Sequence, residues 1–322
     1  MQNIFKDFPI SLREVLHSEK IVYQHIIPTQ LTFYQNYSEL IGANIYVKHE
    51  NHQPGGSFKI RGGLNIMHHL SKEKIKGVIT FSTGNHGISI ATAAKIFGIP
   101  ATIVVPRNNN PEKNALIKST GAKLVEAGNN FEEAAEAGAK IQKDENLHYI
   151  HAANEPHLIN GVGTEFTEII RELPNIDAII LPIGGGSELA AAVTVFKTIN
   201  PKIEIYAVQA EASQAAYLSW TNNKIMQSKN STFAGGFATG MAFEIPFNIY
   251  KNKLTDFVLL SEDEISEGIN IALSITHNLA EGAGASTLIA AQKLSKKLKG
   301  KNVVLQMSGA NETLIQLKRA LN

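Results

Sequence analysis

No cysteine occurs anywhere in the 322 residues. Disulfides, thiolate nucleophiles and cysteine-ligated zinc are therefore excluded. Charge of one sign is also missing. Thirty Lys and Arg face 29 Asp and Glu, for a formal net charge of +1. No basic surplus marks a nucleic-acid partner, and no acidic run marks a solvated tail. No stretch approaches the roughly 20 apolar residues of a membrane helix. The opening "MQNIFKDFPISLREVLHSEK" lacks the unbroken apolar core and small-residue cleavage site of a secretory signal. The expectation is a cytoplasmic protein with no membrane and no nucleic-acid partner. Internal repeats of 20–50 residues and low-complexity tracts are absent as well.

What is present is an ordinary globular composition, 43% hydrophobic and 18% charged, too apolar for disorder. The length exceeds what one core comfortably serves, so two lobes are expected. From residue 77 short apolar runs alternate with amphipathic segments. "GVITFS", "ATIVVP", "KLVEA" and "HYIHA" read as strands. "HGISIATAAKIFG", "PEKNALIKSTG" and "FEEAAEAGAKIQKDE" read as helices between them. A second series follows, with helix "GVGTEFTEIIREL", strand "DAIILPI", helix "SELAAAVTVFKTI" and strand "KIEIYAVQA". Two late helices, "DEISEGINIALSITHNL" and "ASTLIAAQKLSKKL", precede a last strand, "NVVLQMS". Such alternation, with Gly and Pro at the junctions, predicts an α/β fold of two lobes, each an open parallel sheet with flanking helices, breaking near residues 148–160.

In open parallel sheets ligands bind beyond the carboxyl ends of strands. Three such loops stand out. "PIGGGSELAAA" runs from a buried strand through three glycines and Ser187 into a helix. Unhindered backbone N–H groups at a helix start suit a phosphate, though a tight turn is the plainer alternative. It is neither a Walker A loop nor a dinucleotide fingerprint. "FSTGNHG" offers Ser82, Thr83 and Asn85 at a helix start, either for a small carboxylate or merely as caps. His86 fits orienting the loop better than acting as a base. "QMSGANET" places Ser308 at a strand end, where a turn explains it as well as a ligand does. A fourth stretch, "QPGGSFKIRGG", sets Lys59 among glycines behind Phe58. A phosphate nest, a carboxylate loop and a glycine-flanked lysine together suit one cofactor, pyridoxal phosphate, whose aldehyde takes a lysine. Arg61 reads as structural, and His49, His52, His68, His69, His148, His151 and His157 read as surface or packing residues.

"KHENHQPGGSFKIRGG" resembles the lysine segment of the fold-type II pyridoxal-phosphate enzymes, in their threonine dehydratase (ammonia-lyase) and serine racemase branch. "STGNHG", "GGGSEL" and "SGAN" are similar to that branch's next motifs, in its order and over nearly the whole chain. The resemblance implies a tryptophan synthase β-like fold. A large cofactor-binding domain would comprise residues 1–52 and 152–322, and a small domain residues 53–151. It implies Lys59 as the lysine joined to the cofactor, with Phe58 beside the ring and Asn85 on the phenolic oxygen. Gly184, Gly185, Gly186 and Ser187 would hold the phosphate, Ser308 would face the ring nitrogen, and Glu281 would lie near the ring. Ser82, Thr83, Gly84 and His86 would line the substrate carboxylate site. A homodimer is implied, a monovalent cation is possible, and an appended amino-acid-sensing module is not expected.

Three departures stand out. Ser187 replaces a fourth glycine and is followed by Glu188. Tyr217 stands where the racemase's divalent metal site has its second acid, six residues after Glu211, so no metal is expected. "AGGFATG", 234–240, replaces an Ala-Asp-Gly element of the pocket wall. The expected reaction is β-elimination and deamination of a small hydroxy-amino acid, L-threonine or L-serine, with Lys59 as the base. Racemisation, with Thr83 as a second proton relay, is the alternative, as is elimination from a related hydroxylated substrate. A nicotinamide-dependent oxidoreductase or a non-catalytic binding protein would be the readings from other classes.

Overall fold

The computed structural model describes residues 4–129 and 131–321. The first three residues of the amino-terminal segment and Asn322, the end of the expected last helix, lie outside them. Among the described residues ten strands follow in chain order. They are β1 (Leu31–Phe33), β2 (Asn44–Lys48), β3 (Val78–Phe81), β4 (Ala101–Val105), β5 (Lys123–Glu126), β6 (His148–Tyr149), β7 (Ala178–Pro182), β8 (Glu204–Ala210), β9 (Asp256–Leu260) and β10 (Asn302–Gln306). No described helix is long and apolar enough to cross a membrane.

The chain divides into two compact units, each assembled from two stretches. The first comprises Met1–Ile26 and Lys59–Thr164; the second comprises Ile27–Phe58 and Glu165–Asn322. The sequence places all of residues 1–52 in the large domain and breaks the chain near 148–160. In the structure the helix Leu12–Val22 packs on the helix Lys59–Leu70, and Val22 shares a core with Leu64 and Met67. The later boundary falls inside one helix, Pro156–Glu172, which starts five residues before the expected "GVGTEF".

In the first unit the strand order is β5-β4-β3-β6, parallel throughout. Side chains on a strand point alternately to opposite faces. Val78, Ile103 and Val105 accordingly join one core, with Leu64 and Ile90 from the helices Lys59–Leu70 and Asn85–Phe97. Ile79 and Val104 join another, with Ala134 of the helix Phe131–Glu145. Helices on both faces make most positions of β3 and β4 apolar, which is why these two strands read as nearly continuous runs.

In the second unit the order is β1-β2-β10-β7-β8-β9. All pairs are parallel except β1 with β2, an antiparallel edge. Ala178, Ile180, Val208, Val303 and Leu305 pack with residues of the helices Glu262–Ile271 and Gly282–Lys293. The helix Glu262–Ile271 opens on Ser261 and Glu264, which bond reciprocally to each other's backbone N–H and so satisfy two donors at the helix start.

A histidine cluster in the first unit sets its behaviour in acid. His157 is 1% exposed, stacks on His69 at 3.7 Å, and lies 4.4 and 4.1 Å from the rings of Phe5 and Phe8. Among the described residues neither of its ring nitrogens has a hydrogen-bond partner. Burial, and then the charge of His69, lower its pKa to about 3; burial, and then His68, lower that of His69 to about 4. Both shifts run downward from an unfolded value near 6.5. The neutral rings therefore favour folding fully above pH 6.5, and that contribution is lost as pH falls through the interval toward 3. The midpoint of thermal unfolding should drop steadily between pH 6.5 and 4, and His157→Phe should flatten the slope. A midpoint constant over that range would contradict the assignment.

Candidate active site

Each unit carries a distinct set of the candidate residues. In the second unit, β7 runs into Gly184, Gly185 and Gly186, and the helix Ser187–Ile199 begins at once. Gly186 has φ +88°, a conformation costly for any residue with a Cβ. No side chain caps this helix, so its amino end offers backbone N–H groups. A Cβ on Gly184 would lie 2.0 Å from the carbonyl oxygen of Gly236, so nothing larger than glycine fits. Thr239 reinforces the contact by donating to the Gly184 carbonyl at 3.4 Å. The replacement segment 234–240 thus packs directly on the glycine loop. Ser187 and Glu188 are buried.

Gly236 also reaches the next candidate. A Cβ there would lie 3.6 Å from Oε1 of Glu281. Glu281 is 6% exposed, precedes the helix Gly282–Lys293, and donates its N–H to the Gly309 carbonyl at 3.0 Å. Ser308, two residues beyond β10, is 4% exposed, and the Phe58 N–H donates to its carbonyl at 3.1 Å. Ser57 bridges to Gly309, the Ala310 N–H donates to the Gly56 carbonyl at 2.9 Å, and the Asn311 amide donates to the Gly55 carbonyl at 2.7 Å. Residues 55–58 are thus fastened to the "SGAN" turn. The unit brings together Gly184, Gly185, Gly186, Ser187, Glu281, Ser308 and the buried Phe58.

In the first unit, Lys59 opens the helix Lys59–Leu70, and Ser89 donates to its carbonyl at 2.6 Å. After β3 comes Ser82-Thr83-Gly84, then the helix Asn85–Phe97. The caps that stood as the equal alternative are not made, because no side chain caps this helix. Ser82 Oγ instead accepts the Gly84 N–H at 3.4 Å. An uncapped helix start beside two hydroxyl side chains suits a carboxylate. Thr83 is exposed. His86 is 6% exposed and its Nε2 lies 3.0 Å from Thr80 Oγ1 on β3. Burial, then the charge of Lys59, lower its pKa to about 3, so the ring stays neutral and fixes the loop to the strand.

Arg61 is fully buried and donates to Thr164 Oγ1 at 3.1 Å, a packing role within its unit. At the incomplete metal position the ring of Tyr217 packs against Trp220 and Phe257, and its N–H donates to Gln209 at 3.1 Å. Among the described residues no three His, Asp or Glu gather as metal ligands. Two neighbours of the site escape the motifs. Gly236 contacts the glycine loop, and Lys113 reaches Gly84. Only the adjacency of β3 and β4 hints at the second.

The residues present fit pyridoxal phosphate. A nest too tight for a Cβ ends in an uncapped helix, a buried hydroxyl stands at a strand end, and a lysine follows a buried aromatic. A family described as "Pyridoxal-phosphate dependent enzyme" matches residues 22–309. An L-threonine ammonia-lyase of Thermotoga maritima is 35% identical over 97% of this chain and 78% of its own length. A catabolic L-threonine dehydratase of Staphylococcus aureus is 36% identical over 85% of this chain and 81% of its own. Among solved structures, maize serine racemase aligns with TM-score 0.92 at 26% identity, covering 98% of this chain and 97% of that one. Threonine deaminase isoform 2 of Solanum lycopersicum aligns with TM-score 0.90 at 32% identity, covering 96% and 86%.

Proposed function

The chain belongs to the pyridoxal-phosphate dependent enzymes, and from that premise we propose that it is an ammonia-lyase, converting a small hydroxy-amino acid such as L-threonine or L-serine to a 2-oxo acid and ammonia. Relatives bearing the ammonia-lyase and dehydratase names, at about 35% identity over most of the chain, support the reading. The observation that carries it is the joint placement of Lys59 and the uncapped carboxylate loop in one unit, where the Lys59 charge bears on His86.

The bound cofactor would supply the electron sink that makes a Cα–H bond acidic. The residues do the rest. Backbone N–H groups of Gly184, Gly185, Gly186 and Ser187 would hold the phosphate, with Phe58 and Glu281 beside the ring. Ser308 would offer the ring nitrogen a hydroxyl and no full counter-charge. Asn85 would donate to the phenolic oxygen. Ser82, Thr83 and the N–H groups after Gly84 hold the substrate carboxylate, while neutral His86 keeps the loop aimed. The Lys59 amine takes the Cα proton, hydroxide leaves Cβ with a proton, and hydrolysis of the released imine frees ammonia. Homodimerisation and a cytoplasmic location belong to the same proposal. A lyase of this family leaves no place for the nicotinamide-dependent or non-catalytic readings.

Racemisation is the second reading, favoured by the Thr83 hydroxyl and the maize structure. Thr83 is exposed and its hydroxyl has no hydrogen-bond partner among the described residues, so nothing activates it as an acid or base. Incubation of the purified enzyme with L-serine should yield pyruvate and ammonia with little D-serine. D-serine as the main product would establish the racemase, and ammonia from neither L-serine nor L-threonine would remove the lyase reading.

A further inference from the structure

The helix Gly282–Lys293 follows a glutamate that does not cap it. Glu281 is the N-cap residue, extended at φ −71° and ψ 162°, yet its side chain accepts no N–H of the helix. A buried carboxylate at that position ordinarily turns onto the first N–H groups, which lack intrahelical partners and carry positive partial charge. The Glu281 carboxylate instead faces Gly236, where a Cβ would lie 3.6 Å from its Oε1. A second acid takes the helix end. Glu312 Oε2 accepts the Gly282 N–H at 2.9 Å, from 30 residues along the chain. Its Oε1 accepts the Thr313 N–H at 3.1 Å. The helix Leu314–Leu321 does not need Glu312 as a cap, because the Thr313 hydroxyl accepts the Gln316 N–H at 3.1 Å. With the Glu281 N–H on the Gly309 carbonyl at 3.0 Å, two successive N–H groups are held by the one turn 309–312. The corner is packed closely: a Cβ on Gly284 would lie 2.5 Å from the Gly309 carbonyl oxygen, and one on Gly282 2.9 Å from Ile265. Just before it, the Asn51 amide donates to the Leu279 carbonyl at 3.3 Å.

We propose that Glu312 is a positioning residue: by capping the helix Gly282–Lys293 in place of Glu281, it keeps the Glu281 carboxylate turned to the cofactor ring. The inference rests on the reading above that Glu281 lies beside that ring. Without Glu312 the Gly282 N–H loses its acceptor, and the neighbouring Glu281 side chain becomes the nearest replacement. It would then swing back onto the helix start and away from the ring.

The test is a double-mutant cycle of Glu312→Ala with Glu281→Ala, beside Glu312→Gln, read as kcat and KM for L-threonine in the holoenzyme. Glu312→Ala should lower kcat about tenfold and change KM less than about threefold, as expected of a misplaced group beside the reacting centre. Glu312→Gln, whose amide oxygen still accepts the Gly282 N–H, should restore most of the loss. In the Glu281→Ala background, with no carboxylate left to position, Glu312→Ala should change kcat less than about twofold. A readout independent of activity is hydrogen exchange in the apoprotein, where the Gly282 amide should exchange about tenfold faster in Glu312→Ala, the equivalent of one charge-assisted hydrogen bond. Unchanged kcat in Glu312→Ala, equal losses with and without Glu281, or an unchanged Gly282 exchange rate would overturn the inference alone. A wild type that neither absorbs in the near-visible with pyridoxal phosphate nor releases ammonia would remove the reading beneath it as well. Should Glu312→Ala fail to fold, Glu312→Asp, shorter by one methylene, carries the same cycle.

Discussion

Lys59→Ala is expected to abolish the near-visible absorption of the lysine-bound cofactor and to lower ammonia release from L-threonine by roughly 10⁴-fold, the upper range for loss of an acid–base group. The fold should survive. Lys59 is the first residue of its helix, alanine is the best helix former, and two local anchors run through the backbone. Ser89 holds the Lys59 carbonyl, and Phe58 is fixed through its backbone N–H to Ser308. Loss of the Lys59 charge should also raise the pKa of His86, since that charge is the second cause of its depression after burial. Absorption spectra of the reconstituted variant, with an ammonia assay, check the first two points, and ring-proton NMR checks the third. A variant that kept its absorption and came within about tenfold of wild-type activity would remove Lys59 from the mechanism.

Lys48→Met is expected to destabilise the protein by about 3–5 kcal/mol, the cost of leaving a buried charge without its partner. Lys48 is fully buried, and its ammonium lies 2.6 Å from a Glu168 carboxylate that is only 3% exposed. It also donates to the Thr29 carbonyl at 2.7 Å, with the half-exposed Glu172 at 3.6 Å. Thr29 in turn donates to the buried Glu50 at 2.5 Å, so β2 and the helix Pro156–Glu172 share one polar network inside the second unit. Removing both charges, as Lys48→Met with Glu168→Leu, should recover most of the loss, because packed apolar groups replace buried ion pairs at little cost. Urea unfolding midpoints at unchanged slope measure both variants. A loss below about 1 kcal/mol for Lys48→Met would mean that water or rearrangement solvates Glu168.

Lys48 shows where legibility ends. In the sequence it is one more charged residue in "YVKHE", yet β2 lies between β1 and β10 and buries it completely. β3 and β4 were readable because a strand covered on both faces is apolar at most positions. β1, three half-exposed residues at an edge, carries no such run. Its partner β2 gains its burial from β10, some 250 residues later in the chain. The glycine loop was legible by composition, and Lys59 by its motif. The contact of Gly236 with Gly184, and that of Lys113 with Gly84, were not, since neither leaves a local trace.

The sequence alone determined the α/β class, the loop that can cradle a phosphate, the lysine with its glycine-rich surroundings, and the family. Each is encoded within a few residues by period, glycine content or motif. The tertiary structure alone decided which stretches join which unit, that Lys48 is buried in an ion network, that Ser82 and Thr83 leave their helix uncapped, and that the Lys113 ammonium stands beside Gly84. These depend on pairings between segments far apart in the chain. Strand order and helix packing set them, and no local pattern of residue types records which strand will lie beside which.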